Sequence, residues 1–213
     1  MRKENTNNIV FGTRAILETI ESGKEIDKVL IQKGLSNELT KQLVKTMKGY
    51  QVPFSTVPIE KLNRVTRKNH QGAIAFISSI QYASLDNVIN DTYQNGKEPL
   101  LLVLDRVTDV RNFGALARSA ECAGVDAIII PSRGGAAINA DAMKTSAGAL
   151  NYIPVCREEN LKNTLRYLKD NGIAVLACTE KTEKSLYEVD FKRPIAILMG
   201  SEEDGISDRK THV

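Results

Sequence analysis

The stretch Leu100-Leu101-Leu102-Val103-Leu104-Asp105-Arg106-Val107-Thr108-Asp109-Val110-Arg111-Asn112-Phe113-Gly114-Ala115-Leu116-Ala117-Arg118-Ser119-Ala120-Glu121-Cys122-Ala123-Gly124 decides the fold. It opens with five aliphatic residues, a run too short for a buried helix and right for a strand covered on both faces. A loop is expected over Asp105 to Phe113, then a helix from Gly114 to Ala123 with Gly124 as its stop. The small residues of that helix let it lie close to a sheet. Strand, polar loop and helix in this order indicate an open parallel sheet, where ligands bind at the carboxyl ends of strands.

Downstream, apolar runs at Ala127 to Ile130, Ile153 to Val155, Ile173 to Cys178 and Ile195 to Met199 read as further strands. A small-residue segment over Ala136 to Leu150 and a helix over Leu161 to Lys169 separate them. The expectation for 99–213 is therefore an α/β domain built on a parallel sheet. Upstream, 80–98 reads as a connecting helix, capped by Ser84 and ended by Asn95-Gly96.

Residues 1–79 read as a small α/β unit. Strands are expected at Ile9 to Phe11, Lys28 to Gln32, Pro53 to Val57 and Ala73 to Ser79. Helices are expected from a Thr13 cap to Ser22, from Ser36 or Asn37 to Gly49, and from Pro58 to Val65. This part carries 13 Lys or Arg against 7 Asp or Glu, whereas 80–213 carries 16 against 19. A basic front on an acidic back suits a polyanion-binding module attached to a second domain, although surplus lysines also serve solubility.

The loop Thr66-Arg67-Lys68-Asn69-His70-Gln71-Gly72 offers cations, amides and an imidazole, groups that can hold phosphate and hydrogen-bond an unpaired base. Polar residues collect in turns for other reasons, and His70 also suits a purely local role. Several chemistries are excluded. Neither a Gly-x-Gly-x-x-Gly fingerprint nor a phosphate-binding Gly-x-x-x-x-Gly-Lys loop occurs. With two histidines, one of them the penultimate residue His212, a catalytic triad or a His-based zinc site is not expected, and no metal is called for. No apolar run approaches a membrane span and Met1 to Asn8 is polar, so a cytoplasmic location is expected. Cys122, Cys156 and Cys178, widely spaced among apolar neighbours, read as buried reduced thiols. Arg106, Arg111 and Arg118 are forked donors suited to phosphate, with an Arg118–Glu121 surface pair as the bland reading of the last. A second loop, Met199-Gly200-Ser201-Glu202-Glu203-Asp204-Gly205-Ile206, has glycines that permit close approach to a ligand.

Asp105 to Ala115 with Arg118-Ser119-Ala120 resembles the first motif of the SpoU/TrmH family of RNA ribose 2′-O-methyltransferases, and Met199 to Ile206 resembles the second. Lys144-Thr145-Ser146-Ala147-Gly148-Ala149-Leu150 and the Asn69 to Gly72 loop are similar to family segments as well. The resemblance implies an L30-like RNA-binding domain over 1–79 and a trefoil-knot methyltransferase domain over 99–213. It further implies S-adenosyl-L-methionine as cofactor, a homodimer, and 23S ribosomal RNA as substrate, methylated at a guanosine. Matched position by position, Asn112, Arg118 and Glu202 are the catalytic candidates. Thr179, Gly200, Gly205 and Ile206 are the cofactor candidates, and Arg14, Lys68, His70, Gln71 and Arg111 are the RNA candidates. The family's third motif has no counterpart after Gly205. A domain lacking its knot-forming carboxyl-terminal segment is therefore expected, with impaired or absent activity. Methylation of transfer RNA and non-catalytic RNA binding are the alternatives.

Overall fold

The computed structural model describes residues 9–182 and 185–207. The polar first eight residues and the tail from Asp208, both used above, lie outside the described residues. The chain divides into two compact units, 1–80 and 81–213.

In the first unit β1 (Ile9–Phe11), β2 (Ile26–Gln32), β3 (Phe54–Val57) and β4 (Ala73–Ile77) form a mixed sheet in the order β1-β4-β2-β3. β4 is antiparallel to both β1 and β2, and β3 is parallel to β2. The helices are α1 (Thr13–Glu21), α2 (Glu38–Gly49) and α3 (Ile59–Val65). One core gathers Ile16, Leu17 and Ile20 of α1 with Leu43 and Met47 of α2 over Val29 and Ile31. A smaller one joins Leu62 of α3 to Leu30, Val57 and Ile74. Alternation along β2 thus feeds two faces, as the period of a strand dictates. Asn37 caps α2 by accepting from the Thr40 amide at 2.8 Å. Thr13 is no cap: it is buried inside α1, and Gly12, with φ of 93°, makes the entry instead.

In the second unit five parallel strands lie in the order β7-β6-β5-β9-β8. They are β5 (Leu100–Leu104), β6 (Ala127–Pro131), β7 (Val155–Glu158), β8 (Ala174–Cys178) and β9 (Ile195–Met199). The helix α4 (Leu85–Gln94), read above as a connector, belongs to this unit. Its Leu85 and Ile89 share a core with Val103, Ile129 and the Leu161-Leu165-Leu168 stripe of α7 (Leu161–Asp170). The alternate residues Leu102, Leu104, Ile128 and Ile130 are also buried, so the sheet centre is covered on both faces, whereas Ala177 and Cys178 on edge strand β8 are exposed.

Three expectations change here. α5 (Val110–Cys122) begins four residues earlier than anticipated, because the Asp109 carboxylate accepts from the amides of Arg111 and Asn112, each at 2.8 Å. That cap satisfies two donors a helix start leaves open. β7 lies two residues later than expected, since Ile153 and Pro154 form the approach to it. Of the cysteines only Cys156 is buried, its thiol pushed up to about 12 by burial first and the Glu158 charge second; Cys122 and Cys178 are exposed and free.

Candidate active site

The carboxyl ends of β5 and β9, adjacent in the sheet, set the site. β5 runs into Asp105, a fully buried carboxylate whose Oδ2 accepts from the Ser207 amide at 2.9 Å. The Asp105 amide donates to the Met199 carbonyl at 2.8 Å. One residue thus fixes both ends of the segment that follows β9. Between those ends Ser201 and Gly205 exchange backbone hydrogen bonds of 3.1 and 3.0 Å, and the Ser201 hydroxyl accepts from the Asp204 amide at 3.1 Å. Gly200 is obligatory: a Cβ there would fall on the Gly205 carbonyl and the Ile206 nitrogen.

Arg106 closes this construction from the other side. Its guanidinium donates to the Asp204 carboxylate and the Gly205 carbonyl, both at 3.2 Å. The residue is held at φ of 58°, a left-handed conformation costing a side-chain-bearing residue on the order of 1–3 kcal/mol. Expected to be a free phosphate donor, Arg106 is instead an internal strap.

The result is a cleft of about 650 Å³, within the usual range for small-molecule sites. Asn112 and Ala115 of α5, Gly134, Gly200, Glu202 and Glu203 are among its walls. Its α5 wall can sit close because α5 and α6 (Ala140–Thr145) touch at Gly114, where a Cβ would come within 2.7 Å of Thr145. A second recess of about 440 Å³ lies beyond the same loop, between Cys178, Glu180 and Lys181 on one side and Gly200 to Gly205 on the other.

Of the residues read from the sequence, Asn112, Gly200 and Glu202 meet at the first cleft, and Gly200, Glu202 and Gly205 at the second. Arg118 lines neither; it is exposed on α5, without an ion pair to Glu121 or any other described residue. Arg111, also exposed, lies seven residues before it on the same helical stripe, and both are one turn from cleft-lining Ala115. The Thr179 hydroxyl accepts from the Lys181 amide at 3.2 Å, and the Ile206 side chain is buried in the core of the second unit.

In the first unit, Lys68 Nζ stands 5.7 Å from the centre of the Phe11 ring, and the Gln71 side chain lies over Gly12. Arg14, exposed in the first turn of α1, is two residues from Gly12. The loop and the start of α1 therefore share one end of that unit. His70 is different. It is buried, its Nδ1 accepts from the Gly72 amide at 3.1 Å, and its Nε2 bonds the Asn63 side-chain oxygen at 2.9 Å. No imidazole nitrogen is left for RNA, so His70 shapes the loop rather than contacting a ligand. Among the described residues there is no group of three or more His, Cys, Asp or Glu able to hold a metal ion, and no helix is long and apolar enough to cross a membrane.

Sequence reasoning missed Asp105, Arg106 and Asp109 as builders of the site. The available signal was a charged pair placed directly after an all-aliphatic strand, where burial forces it to find partners.

Comparison with known proteins gives a consistent result. The model of the SpoU rRNA methylase family matches residues 99–212, and that of the RNA 2′-O ribose methyltransferase substrate-binding domain matches residues 9–83. A protein of Staphylococcus saprophyticus assigned to the TrmH family of tRNA/rRNA methyltransferases is 33% identical over 199 residues, which is 93% of this chain and 80% of the relative. One from Staphylococcus aureus strain COL is 34% identical over 201 residues, with the same coverage. Among solved structures, the SpoU methyltransferase AviRb from Streptomyces viridochromogenes, in complex with AdoMet, has a TM-score of 0.55 at 20% identity. It covers 96% of this chain and 76% of its own. An AdoMet-bound rRNA methyltransferase from Sinorhizobium meliloti has a TM-score of 0.54 at 20% identity, covering 96% and 74%. At that identity these two establish the shared fold.

Proposed function

The chain belongs to the SpoU/TrmH family of RNA methyltransferases, and from that premise we propose that it methylates a ribose 2′-oxygen, that of a guanosine in 23S ribosomal RNA, with S-adenosylmethionine as donor. In this reading it works in the cytoplasm as a homodimer. The observation that carries the reading is the meeting of Asn112, Gly200 and Glu202 at one edge of a parallel sheet. The residues present fit the cofactor. The Gly200 backbone is bare where a Cβ has no room, and the acidic turn Glu202-Glu203-Asp204 suits a cationic ligand.

When bound, S-adenosylmethionine supplies an electrophilic methyl group on a sulfonium. Everything else falls to this chain. Arg111 and Arg118 take phosphates along α5, placing a ribose over the cleft beside Ala115. Asn112 orients the sugar. A guanidinium does not give up its proton near neutral pH, so Arg118 is not the base. It lowers the barrier by holding positive charge where the 2′-oxygen becomes negative, while the proton leaves to solvent. The 66–72 loop and Arg14 hold a neighbouring part of the RNA.

The test is transfer of labelled methyl from S-adenosylmethionine to purified ribosomal or transfer RNA, followed by digestion and identification of the nucleoside. Expected is 2′-O-methylguanosine in large-subunit RNA. Label in transfer RNA alone would move the substrate, and RNA binding without cofactor binding would overturn the enzyme reading.

A further inference from the structure

A groove on the first unit lies outside everything used so far. It runs along α2, encloses about 440 Å³, and is floored by Leu35 and Val44 and rimmed by Lys41, Lys45 and Lys48. The lysines follow spacings of four and three, so they form one ladder rising about 10 Å along the helix. Lys45 and Lys48 make no ion pair among the described residues, and Lys41 has only the exposed Glu38 at 3.7 Å. Thr40 lines the groove 4% exposed, with a hydroxyl that has no hydrogen-bond partner among the described residues. A buried, unmatched hydroxyl beneath three cations is costly unless an acceptor completes it.

The groove also leads somewhere. Leu35, part of its floor, sits so near Gly72 that a Cβ on the glycine would come within 2.7 Å of it. Leu35 thereby links the groove to the end of the 66–72 loop. We infer that α2 carries a second RNA contact, a phosphate track on which a strand leaving the 66–72 loop passes over Leu35 and lies along Lys41, Lys45 and Lys48, with Thr40 as an added donor. The apolar floor accommodates sugar faces and the ladder takes phosphates, so this contact is sequence-independent. It rests on the RNA-methyltransferase reading and extends its substrate grip beyond the loop.

The experiment is fluorescence anisotropy of the full chain with a fluorescein-labelled RNA stem-loop bearing single-stranded flanks, titrated at several salt concentrations. Lys45→Gln with Lys48→Gln removes two exposed charges; the slope of log affinity against log salt is expected to flatten by about 1.4, and low-salt affinity to fall about tenfold. Thr40→Val is expected to raise the melting temperature while weakening RNA binding about threefold, a combination a purely structural residue would not show. An unchanged slope in the lysine variant, with binding still weakened by Lys68→Gln, would overturn the α2 track and leave the proposed function standing. Failure of the unmodified chain to bind the probe at low salt would overturn both.

Discussion

The loop after β9 and the loop before β4 are both polar, glycine-bearing and read from the sequence as ligand-binding, yet they are built in opposite ways. Between Gly200 and Ser207 it is chiefly the backbone that is tied down: Asp105 takes the Ser207 amide, Arg106 takes Asp204 and Gly205, and Ser201 pairs with Gly205, while the Glu202, Glu203 and Asp204 side chains stay exposed. What is offered to a ligand is a braced backbone, a concave wall and the acidic turn Glu202-Glu203-Asp204. Between Thr66 and Gly72 the polar side chains of Thr66 and His70 are turned inward, and Arg67, Lys68, Asn69 and Gln71 are exposed around them. Chemistry at a single atom needs a place defined to within fractions of an ångström, which requires a cross-braced loop. Exposed charges on a firm base suit a flexible polyanion, and the buried Thr66 and His70 provide that base.

This contrast can be broken most severely at Gly200. Gly200→Ala forces the Gly205 carbonyl aside, so calorimetry should find S-adenosylmethionine binding abolished and stability lowered by about 1–3 kcal/mol, with RNA affinity of the first unit retained. Equal loss of RNA binding would show that the two loops are not independent. Next in size is Arg118→Lys, which keeps the charge and removes the fork; single-turnover methyl transfer should slow about 100-fold while RNA affinity changes little. Near-full turnover would reduce Arg118 to a point charge. Lys68→Ala with Gln71→Ala should weaken RNA binding about tenfold by filter binding and leave cofactor affinity unchanged. The smallest effect belongs to Asp109→Ala, which uncaps α5 and should cost about 1 kcal/mol in urea unfolding without altering the first loop.

How far these regions were legible in the sequence follows from where their determinants lie. The limits of β5 and β9 are legible because each is an uninterrupted apolar run, a signal carried by the strand itself. The start of α5 is hidden, because Asp109 looks like any loop aspartate until its carboxylate is seen on two amides of the next turn. Arg106 looks like a phosphate donor in the sequence because its partners, Asp204 and Gly205, lie almost a hundred residues on and reach it only through β5–β9 pairing. His70 depends on Asn63, a turn of helix and a loop away. The exposed Cys178 lies on an edge strand, and edge position is a property of the sheet order rather than of the strand's own residues. The meeting of Asn112 with Gly200 and Glu202 was readable only as a family likeness; the cross-bracing that makes the meeting rigid was not.

The place of β9 in its sheet has a consequence for how the molecule is made. Among the described residues it is the last strand in chain order, and it lies between β5 and β8, with Leu100 opposite Ile195 and Ala174 opposite the same residue from the other side. Until it is synthesised, β8 has no neighbour and the loop strapped by Arg106 does not exist. The first unit closes all its pairings by Ile77. At about 5–20 residues per second, roughly 6–24 s of translation separate Ile77 from Met199. A nascent chain therefore carries the complete sheet of its first unit for much of its synthesis, before the loop braced between β5 and β9 has formed.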